Sequence, residues 1–186
     1  LFLKRIGYEV FFGGNERIPH EFKEIGVIDF KNIKKHNILN EFSLIKGAEL
    51  VITSGSGYAY LASVLDIKLL YCNQWSITVP QAGSKTLQVP TRIKYKGKYL
   101  SLNEQYNLMD NLNNNNKFSP TNYYSYEHPS SSVMLNSLKE LLNISNRLEN
   151  EKHPLVLKFR SEYNKYFNNL ESLNFMDKIA DGIMEK

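Results

Sequence analysis

The chain has 186 residues, of which 42% are hydrophobic and 23% charged, as expected for one globular domain with its own core. Its net charge of +4 comes from lysines and arginines scattered among acids, which argues against a nucleic-acid partner and suits an anionic small ligand or peripheral association with a membrane. No apolar run approaches the roughly 18 to 20 residues that span a bilayer. The single cysteine, Cys72, is typical of a reducing compartment. We therefore expect a cytoplasmic location, with the inner face of a membrane as the alternative.

The sequence starts at Leu1 rather than at a methionine, and residues 1–7 resemble the last turn of a helix. We therefore expect that further protein precedes this sequence.

Short apolar runs alternate with helical patterns over the first two thirds of the chain. The runs predict strands over residues 8–12, 26–30, 49–53 and 67–71. Helices are predicted from a cap at Asn37 and over residues 58–65. Near-continuous apolar strands separated by helices are typical of a parallel sheet covered on both faces. The pattern therefore predicts an α/β fold with a Rossmann-like, doubly wound parallel sheet over residues 1–110.

The rest of the chain is less regular. Residues 75–98 contain several prolines and glycines and predict a long loop with one short strand near residues 92–95. A short helix is expected over residues 102–109. The Asn-, Ser- and Tyr-rich stretch 111–128 predicts a loop, either an exposed linker or a poorly ordered insertion. Residues 129–186 predict helices that pack on the core or extend from it.

The stretch with the clearest chemistry is a Ser/Gly turn between a predicted strand and a predicted helix. It comprises Ser54, Gly55, Ser56 and Gly57. Open α/β sheets bind ligands at the carboxyl ends of their strands, where this turn is expected. Glycines allow close approach to the backbone, and free N–H groups at a helix start favour phosphate. The turn therefore predicts a phosphate site.

Two known nucleotide-binding motifs do not fit this turn, and one purely structural alternative does. No Gly-Lys-Ser/Thr follows it, so it is not a P-loop, and Tyr60 interrupts the Gly-x-Gly-x-x-Gly spacing of dinucleotide-binding folds. The structural alternative is a plain strand-to-helix turn with a serine N-cap.

Residues 46–75 resemble a group of bacterial glycosyltransferases associated with surface carbohydrates. In that family an Ile-Gly-Thr-Gly-Ser-Gly-like turn is followed by a helix and a strand ending in Asn. The matching residues here are 52–57 and Asn73. The strand and turn are more distantly similar to those of heptosyltransferases. Residues 7–10, the basic segment 92–104 and the helix after Glu127 also resemble this family.

The resemblance implies a GT-B fold, in which two Rossmann-like domains face each other and the C-terminal domain holds the nucleotide sugar. This chain would be that C-terminal domain. The acceptor-binding domain would lie upstream, and we expect the isolated piece to be inactive. No catalytic base is assigned, because in this fold class the base often comes from the other domain.

The same resemblance assigns binding roles to individual residues. Arg92 would supply a cation to the donor diphosphate; the alternative is a surface loop arginine. Asn73 would hydrogen-bond the nucleoside; the alternative is a turn residue at a strand end. Glu127 would hydrogen-bond a ribose hydroxyl; the alternative is a solvated carboxylate. The diphosphate itself would be held by Ser54, Gly55, Ser56 and Gly57.

The expected ligands follow from the same similarity. The sequence has no Asp-x-Asp motif, which suits this class because helix dipoles and basic side chains replace a metal at the diphosphate. We therefore expect no metal and no cofactor, a nucleotide-sugar donor as substrate, and a glycan or lipid-linked acceptor.

We therefore hypothesise a glycosyltransferase domain that acts in surface polysaccharide or glycan synthesis. Two positions depart from the family: Phe12 or Gly13 stands where an arginine is usual, and Asn40 replaces an acid. They support one alternative, a non-catalytic module that binds a sugar nucleotide or a protein. The other alternative is a different transferase on the same fold, moving for example pyruvyl or glycerol-phosphate groups.

Overall fold

The computed structural model of the chain describes residues 1–14, 16–33, 37–73, 85–101, 104–105, 107–108 and 124–142. Contacts within the chain define two compact units, of which the first is Leu1–Gly47 and the second begins at Ala48. The boundary falls inside the core that the sequence predicts over residues 1–110.

The first unit combines short helices with a two-stranded parallel sheet. Strand β1 pairs with β2, with Phe11 opposite Ile28 and Phe12 opposite Asp29. A turn of 3-10 helix follows β2 directly. In chain order the elements are α1 (Phe2–Arg5), β1 (Phe11–Phe12), α2 (His20–Glu24), β2 (Ile28–Asp29), the 3-10 turn (Phe30–Asn32) and α3 (Ile38–Gly47).

Strands β1 and β2 are shorter than the sequence predicts. The second ends at Asp29 because its carboxylate accepts a hydrogen bond from the Lys31 N–H at 3.2 Å, which starts the 3-10 turn. The predicted cap of α3 is confirmed: Asn37 Oδ1 accepts from the Asn40 N–H at 2.9 Å.

A three-stranded parallel sheet lies at the centre of the second unit, which makes the chain a mixed α/β protein. Its spatial order is β3-β4-β5. Thr53 pairs with Tyr71 across the first two strands, and Cys72 pairs with Val89 across the next two. The elements are β3 (Leu50–Thr53), α4 (Gly57–Val64), β4 (Lys68–Cys72) and β5 (Thr86–Val89).

Small residues let α4 pack closely on β3 and β4. Ala59 and Ala62 are both fully buried. Ser63 is also buried, and its hydroxyl is satisfied by the Ala59 carbonyl at 2.9 Å. The helix is thereby fixed against the sheet, which also fixes the turn that precedes it.

The last described helix, α5 (Ser131–Leu142), contacts β4 and β5. Leu138 and Leu141 are its buried apolar residues, at the helical spacing that the sequence predicts. Ser130 Oγ accepts from the Val133 N–H at 3.3 Å and caps the helix at the predicted start. The helix therefore helps to bury strands β4 and β5 of this core, in which Leu69, Leu70, Leu87 and Val89 are at most 1% exposed.

A small antiparallel sheet completes the second unit. Its order is β7-β6-β8, formed by β6 (Arg92–Tyr95), β7 (Lys98–Tyr99) and β8 (Tyr124–Glu127). Lys96 and Gly97 join β6 to β7 with φ of 48° and 80°. Positive φ at both central residues is the signature of a type I′ hairpin turn.

Two loop predictions are corrected here. Residues 86–89 are strand β5, although they lie in the predicted loop 75–98, and residues 124–127 are strand β8, although they lie in the predicted loop 111–128. The polar residues Thr86 and Gln88 interrupt the apolar run that would have marked β5 in the sequence. In the structure both are buried, with 1% and 2% of their surface exposed. The pairing partners of β8 are distant in sequence, so no local signal marked it. Residues 74–84 and 109–123, and the helices predicted beyond residue 142, lie outside the described residues.

Candidate functional site

The Ser/Gly turn connects the carboxyl end of β3 to the start of α4, as the sequence predicts. Ser56 is the N-cap residue of α4, with extended backbone angles of −144° and 167°. Its hydroxyl lies 2.9 Å from Thr53 Oγ1 and makes no capping bond to the helix. No side chain caps α4 in the described part of the chain. The positive end of the dipole of this eight-residue helix therefore faces the turn without a side-chain cap.

The turn packs against side chains of β4. Tyr71 is 3% exposed, and its hydroxyl oxygen lies 3.3 Å from the position that a β-carbon on Gly55 would occupy. The adjacent Cys72 thiol donates to the Thr53 carbonyl at 3.4 Å. The two contacts tie the end of β3 and the turn to neighbouring residues of β4.

Asn73 follows β4 at the same edge of the sheet. Its φ of 55° is in the left-handed region, which asparagine tolerates better than most residues. Its backbone N–H donates to the Val89 carbonyl at 3.1 Å, beside the end of β5. Asn73 thus occupies the strand-end turn position, and its exposed side chain lies at the edge where β3 also ends. A contact with a nucleoside stays a prediction.

Arg92 and Glu127 lie opposite each other on the antiparallel sheet. The Arg92 guanidinium carbon stands 3.6 Å from the ring centroid of Tyr99, a cation–π contact. Glu127 Oε2 accepts from Lys94 Nζ at 2.5 Å and from the Tyr99 hydroxyl at 2.6 Å. These four side chains form one network, here called the β6–β8 cluster: Arg92, Lys94, Tyr99 and Glu127.

The electrostatics of the β6–β8 cluster are those of a satisfied ion pair. Hydrogen bonds from Lys94 and Tyr99, with the positive charges of Lys94 and Arg92, lower the pKa of Glu127. The hydrogen bonds to Glu127 and Tyr99 raise the pKa of Lys94. Both groups are therefore charged at neutral pH. Oε2 of Glu127 in β8 thus links side chains of β6 and β7.

The site residues predicted from the sequence thus fall into two groups. The first is at the carboxyl edge of the parallel sheet, with Asn73 beyond β4 and the turn residues beyond β3: Ser54, Gly55, Ser56 and Gly57. The second is the pair Arg92 and Glu127. The chain links the groups through the end of β5, because only the buried Pro90 and Thr91 separate Val89 from Arg92.

Sequence reasoning missed Lys94 and Tyr99, which complete the β6–β8 cluster. A signal for Lys94 was present, since it lies two residues after Arg92 and a strand points alternate residues to one face. The position of Tyr99 required recognition of the tight turn at Lys96-Gly97. With that turn, the register brings Tyr99 opposite Lys94.

Glu104, the last residue of the basic segment 92–104, has a structural role. Its Oε2 accepts from both the N–H and the hydroxyl of Ser101 at 2.7 Å, while the Glu104 N–H donates back to Ser101 Oγ at 3.3 Å. This reciprocal arrangement is a capping box, which starts a helical turn.

No group of three or more His, Cys, Asp or Glu side chains among the described residues is arranged to hold a metal ion. No helix in that part of the chain has the length and apolar character needed to cross a membrane.

No protein-family model matches the chain, and comparisons with curated proteins and with solved structures also gave no match. The geometry and the sequence resemblance are therefore the grounds for a function.

Proposed function

We propose that this chain contains the nucleotide-sugar-binding domain of a glycosyltransferase of surface polysaccharide or glycan synthesis. In this proposal the parallel sheet belongs to a Rossmann-like, doubly wound domain. The observation that carries the proposal is the strand-turn-helix unit at residues 50–64, with two serines and two glycines at the carboxyl end of a parallel strand. The Ser56 hydroxyl bonds to Thr53 rather than capping α4, which leaves the positive end of the helix dipole for an anion.

The proposed role of the turn is to stabilise the leaving group. As an acceptor hydroxyl oxygen forms a bond to the anomeric carbon of the sugar, the bond from that carbon to the diphosphate oxygen breaks. Negative charge then grows on the diphosphate, and the α4 dipole and the Ser54 hydroxyl would stabilise it, joined by the Ser56 hydroxyl once it rotates away from Thr53. The proton of the acceptor hydroxyl passes to a base that we do not assign to this chain.

Arg92 and Glu127 have a supporting role in the proposal. Arg92 begins β6 beyond the end of β5, two strands away from the turn, so in this proposal its guanidinium would leave the Tyr99 ring to reach the donor diphosphate. Glu127 already uses Oε2 for Lys94 and Tyr99, so a ribose hydroxyl would be bound through Oε1. We propose a glycan or lipid-linked acceptor and no metal, as the sequence resemblance implies. From the single cysteine we propose a cytoplasmic location, with the inner face of a membrane as the alternative.

The second candidate is a non-catalytic module that binds a sugar nucleotide or a protein. Its support is sequence-based: Phe12 and Asn40 stand where the similar family has charged residues. Detectable sugar transfer would exclude it. Transfer of a pyruvyl or glycerol-phosphate group instead would favour the other transferase activities.

The direct test is a thermal-shift screen of the protein against UDP, GDP, ADP, CDP and CMP. A ligand that binds only the folded state stabilises it by about 2.7 kcal/mol at a hundredfold excess over its dissociation constant. We expect a shift with one nucleotide. It should disappear in Ser56→Asp, because the new carboxylate would lie against the phosphate.

The matched control is Ser132→Asp, which adds the same charge in the first turn of α5. This variant should keep the full nucleotide-dependent shift. Absence of a shift with all five nucleotides would contradict a donor site in this chain. Equal loss in both variants would show that charge alone, and not the turn, governs binding.

A further inference from the structure

The tip of the β6–β7 hairpin exposes basic and aromatic side chains side by side. All residues from Tyr95 to Tyr99 are exposed, with the two tyrosines at 37% and 43%. Lys96 and Lys98 lie between them, on either side of the Gly97 turn. This segment, residues 95–99, is called the hairpin tip below.

The sheet that carries the hairpin tip has an excess of positive charge. Arg92, Lys94, Lys96 and Lys98 alternate along residues 92–98. Among the described residues of β6, β7 and β8, the acid is Glu127, and its Oε2 is bound by Lys94. The excess charge is concentrated towards the tip, where Lys96 and Lys98 are close in the chain. A partner of complementary charge is therefore anionic.

Each aromatic ring of the tip is partly exposed and has a neighbouring side chain near its face. Arg92 stands 3.6 Å from the Tyr99 ring centroid, and Lys96 Nζ stands 5.3 Å from that of Tyr95. The Tyr95 ring also packs on Tyr124, with centroids 4.9 Å apart. Single-stranded nucleic acids bind through bases that stack on open ring faces, so these tyrosines are poor stacking platforms.

The same arrangement suits a membrane surface. Tyrosine is enriched at the boundary between lipid and water, where its ring is partly buried and its hydroxyl is wet. Lysine places its aliphatic stem along apolar groups and its ammonium group at the lipid phosphates. Anionic headgroups attract each such cation near the surface.

We propose that the hairpin tip docks on an anionic phospholipid membrane, with Lys96 and Lys98 at the headgroup phosphates and Tyr95 and Tyr99 at the headgroup level. The proposal does not depend on glycosyl transfer, because it uses neither the Ser/Gly turn nor a nucleotide.

The test is sedimentation of the whole chain with vesicles of phosphatidylcholine alone or of phosphatidylcholine mixed with phosphatidylglycerol. We expect binding to the mixed vesicles only, weakened by added salt because the charges are exposed. In the double variant Lys96→Gln/Lys98→Gln, binding should fall by about fivefold for each lysine. Glutamine keeps the length of the side chain and removes its charge.

The control removes the same charge elsewhere. Lys23 and Lys46 are exposed lysines of the first unit, and Lys23→Gln/Lys46→Gln should leave vesicle binding almost unchanged. Circular dichroism of both double variants verifies that they are folded. Three results would each overturn the proposal: no binding to mixed vesicles, equal loss in both double variants, or tighter binding of a single-stranded oligonucleotide through the same two lysines.

Discussion

The hydroxyl oxygen of Tyr71 lies 3.3 Å from the place where a β-carbon on residue 55 would be. That separation is tighter than an ordinary van der Waals contact, and Tyr71 is 3% exposed, so its ring has little room to retreat. The packing of Tyr71 against the turn therefore favours glycine at position 55, whether or not a ligand binds there.

This contact predicts a steric coupling between positions 55 and 71. Gly55→Ala should destabilise the protein by about 1 kcal/mol or more, because it overpacks a confined position. Tyr71→Phe removes the oxygen that the new methyl group meets. The double variant should therefore be more stable than the sum of the two single effects predicts, as measured by urea unfolding in a double-mutant cycle.

The control for this cycle is Gly57→Ala. An added β-carbon there meets no atom within 4 Å, and the position begins α4, where alanine is the better helix former. We expect its stability to be unchanged or slightly increased. A cost equal to that of Gly55→Ala would show that the Tyr71 contact is not the cause.

The β6–β8 cluster predicts a loss of stability in acid. The pKa of Glu127 is lowered in the folded protein, so its stabilising effect is present above the ordinary glutamate pKa and is lost as the pH falls through the lowered value. Urea midpoints followed through this acidic range should decline less in Glu127→Gln than in the wild type. Glu9→Gln, an exposed change in the first unit, serves as the control and should follow the wild type. Parallel curves for all three proteins would contradict a role for the Glu127 network.

Cys72 should be unreactive in the folded protein. Burial raises the pKa of its thiol to about 11, so thiolate is about a hundredfold scarcer than for an ordinary cysteine. Iodoacetamide labelling followed by mass spectrometry should be slow in buffer and fast in urea. Equal labelling rates in the two conditions would mean that the end of β4 opens readily.

The packing of α5 on the parallel sheet predicts a large effect of truncation. Leu141 is fully buried, and Leu141→Ala should cost about 2 to 5 kcal/mol through lost contacts and a cavity. Lys139→Ala, on an exposed part of the same helix, should change the free energy of unfolding by less than about 0.5 kcal/mol. Chemical denaturation measures both, and similar values for the two variants would exclude α5 from the core.

Local patterns in the sequence were sufficient for the elements that depend on local interactions. We predicted the Asn37 cap of α3, the near-continuous apolar run of β4 and the small residues of α4. Each of these features can be recognised from residue types and spacing within a few neighbouring positions. The position of the Ser/Gly turn between β3 and α4 followed from the same patterns. Strand β5 did not, because Thr86 and Gln88 are buried by their neighbours in space despite being polar.

The sequence by itself therefore determined the alternation of strands and helices and the place of the turn, since each residue's own propensity and spacing encode them. Only the tertiary structure decided which distant residues meet. The Tyr71 hydroxyl came beneath Gly55, and Glu127 came between Lys94 and Tyr99, through strand pairing between segments far apart in the chain. Such pairings depend on register and on burial of the whole sheet, and these are collective properties that no short stretch of sequence carries.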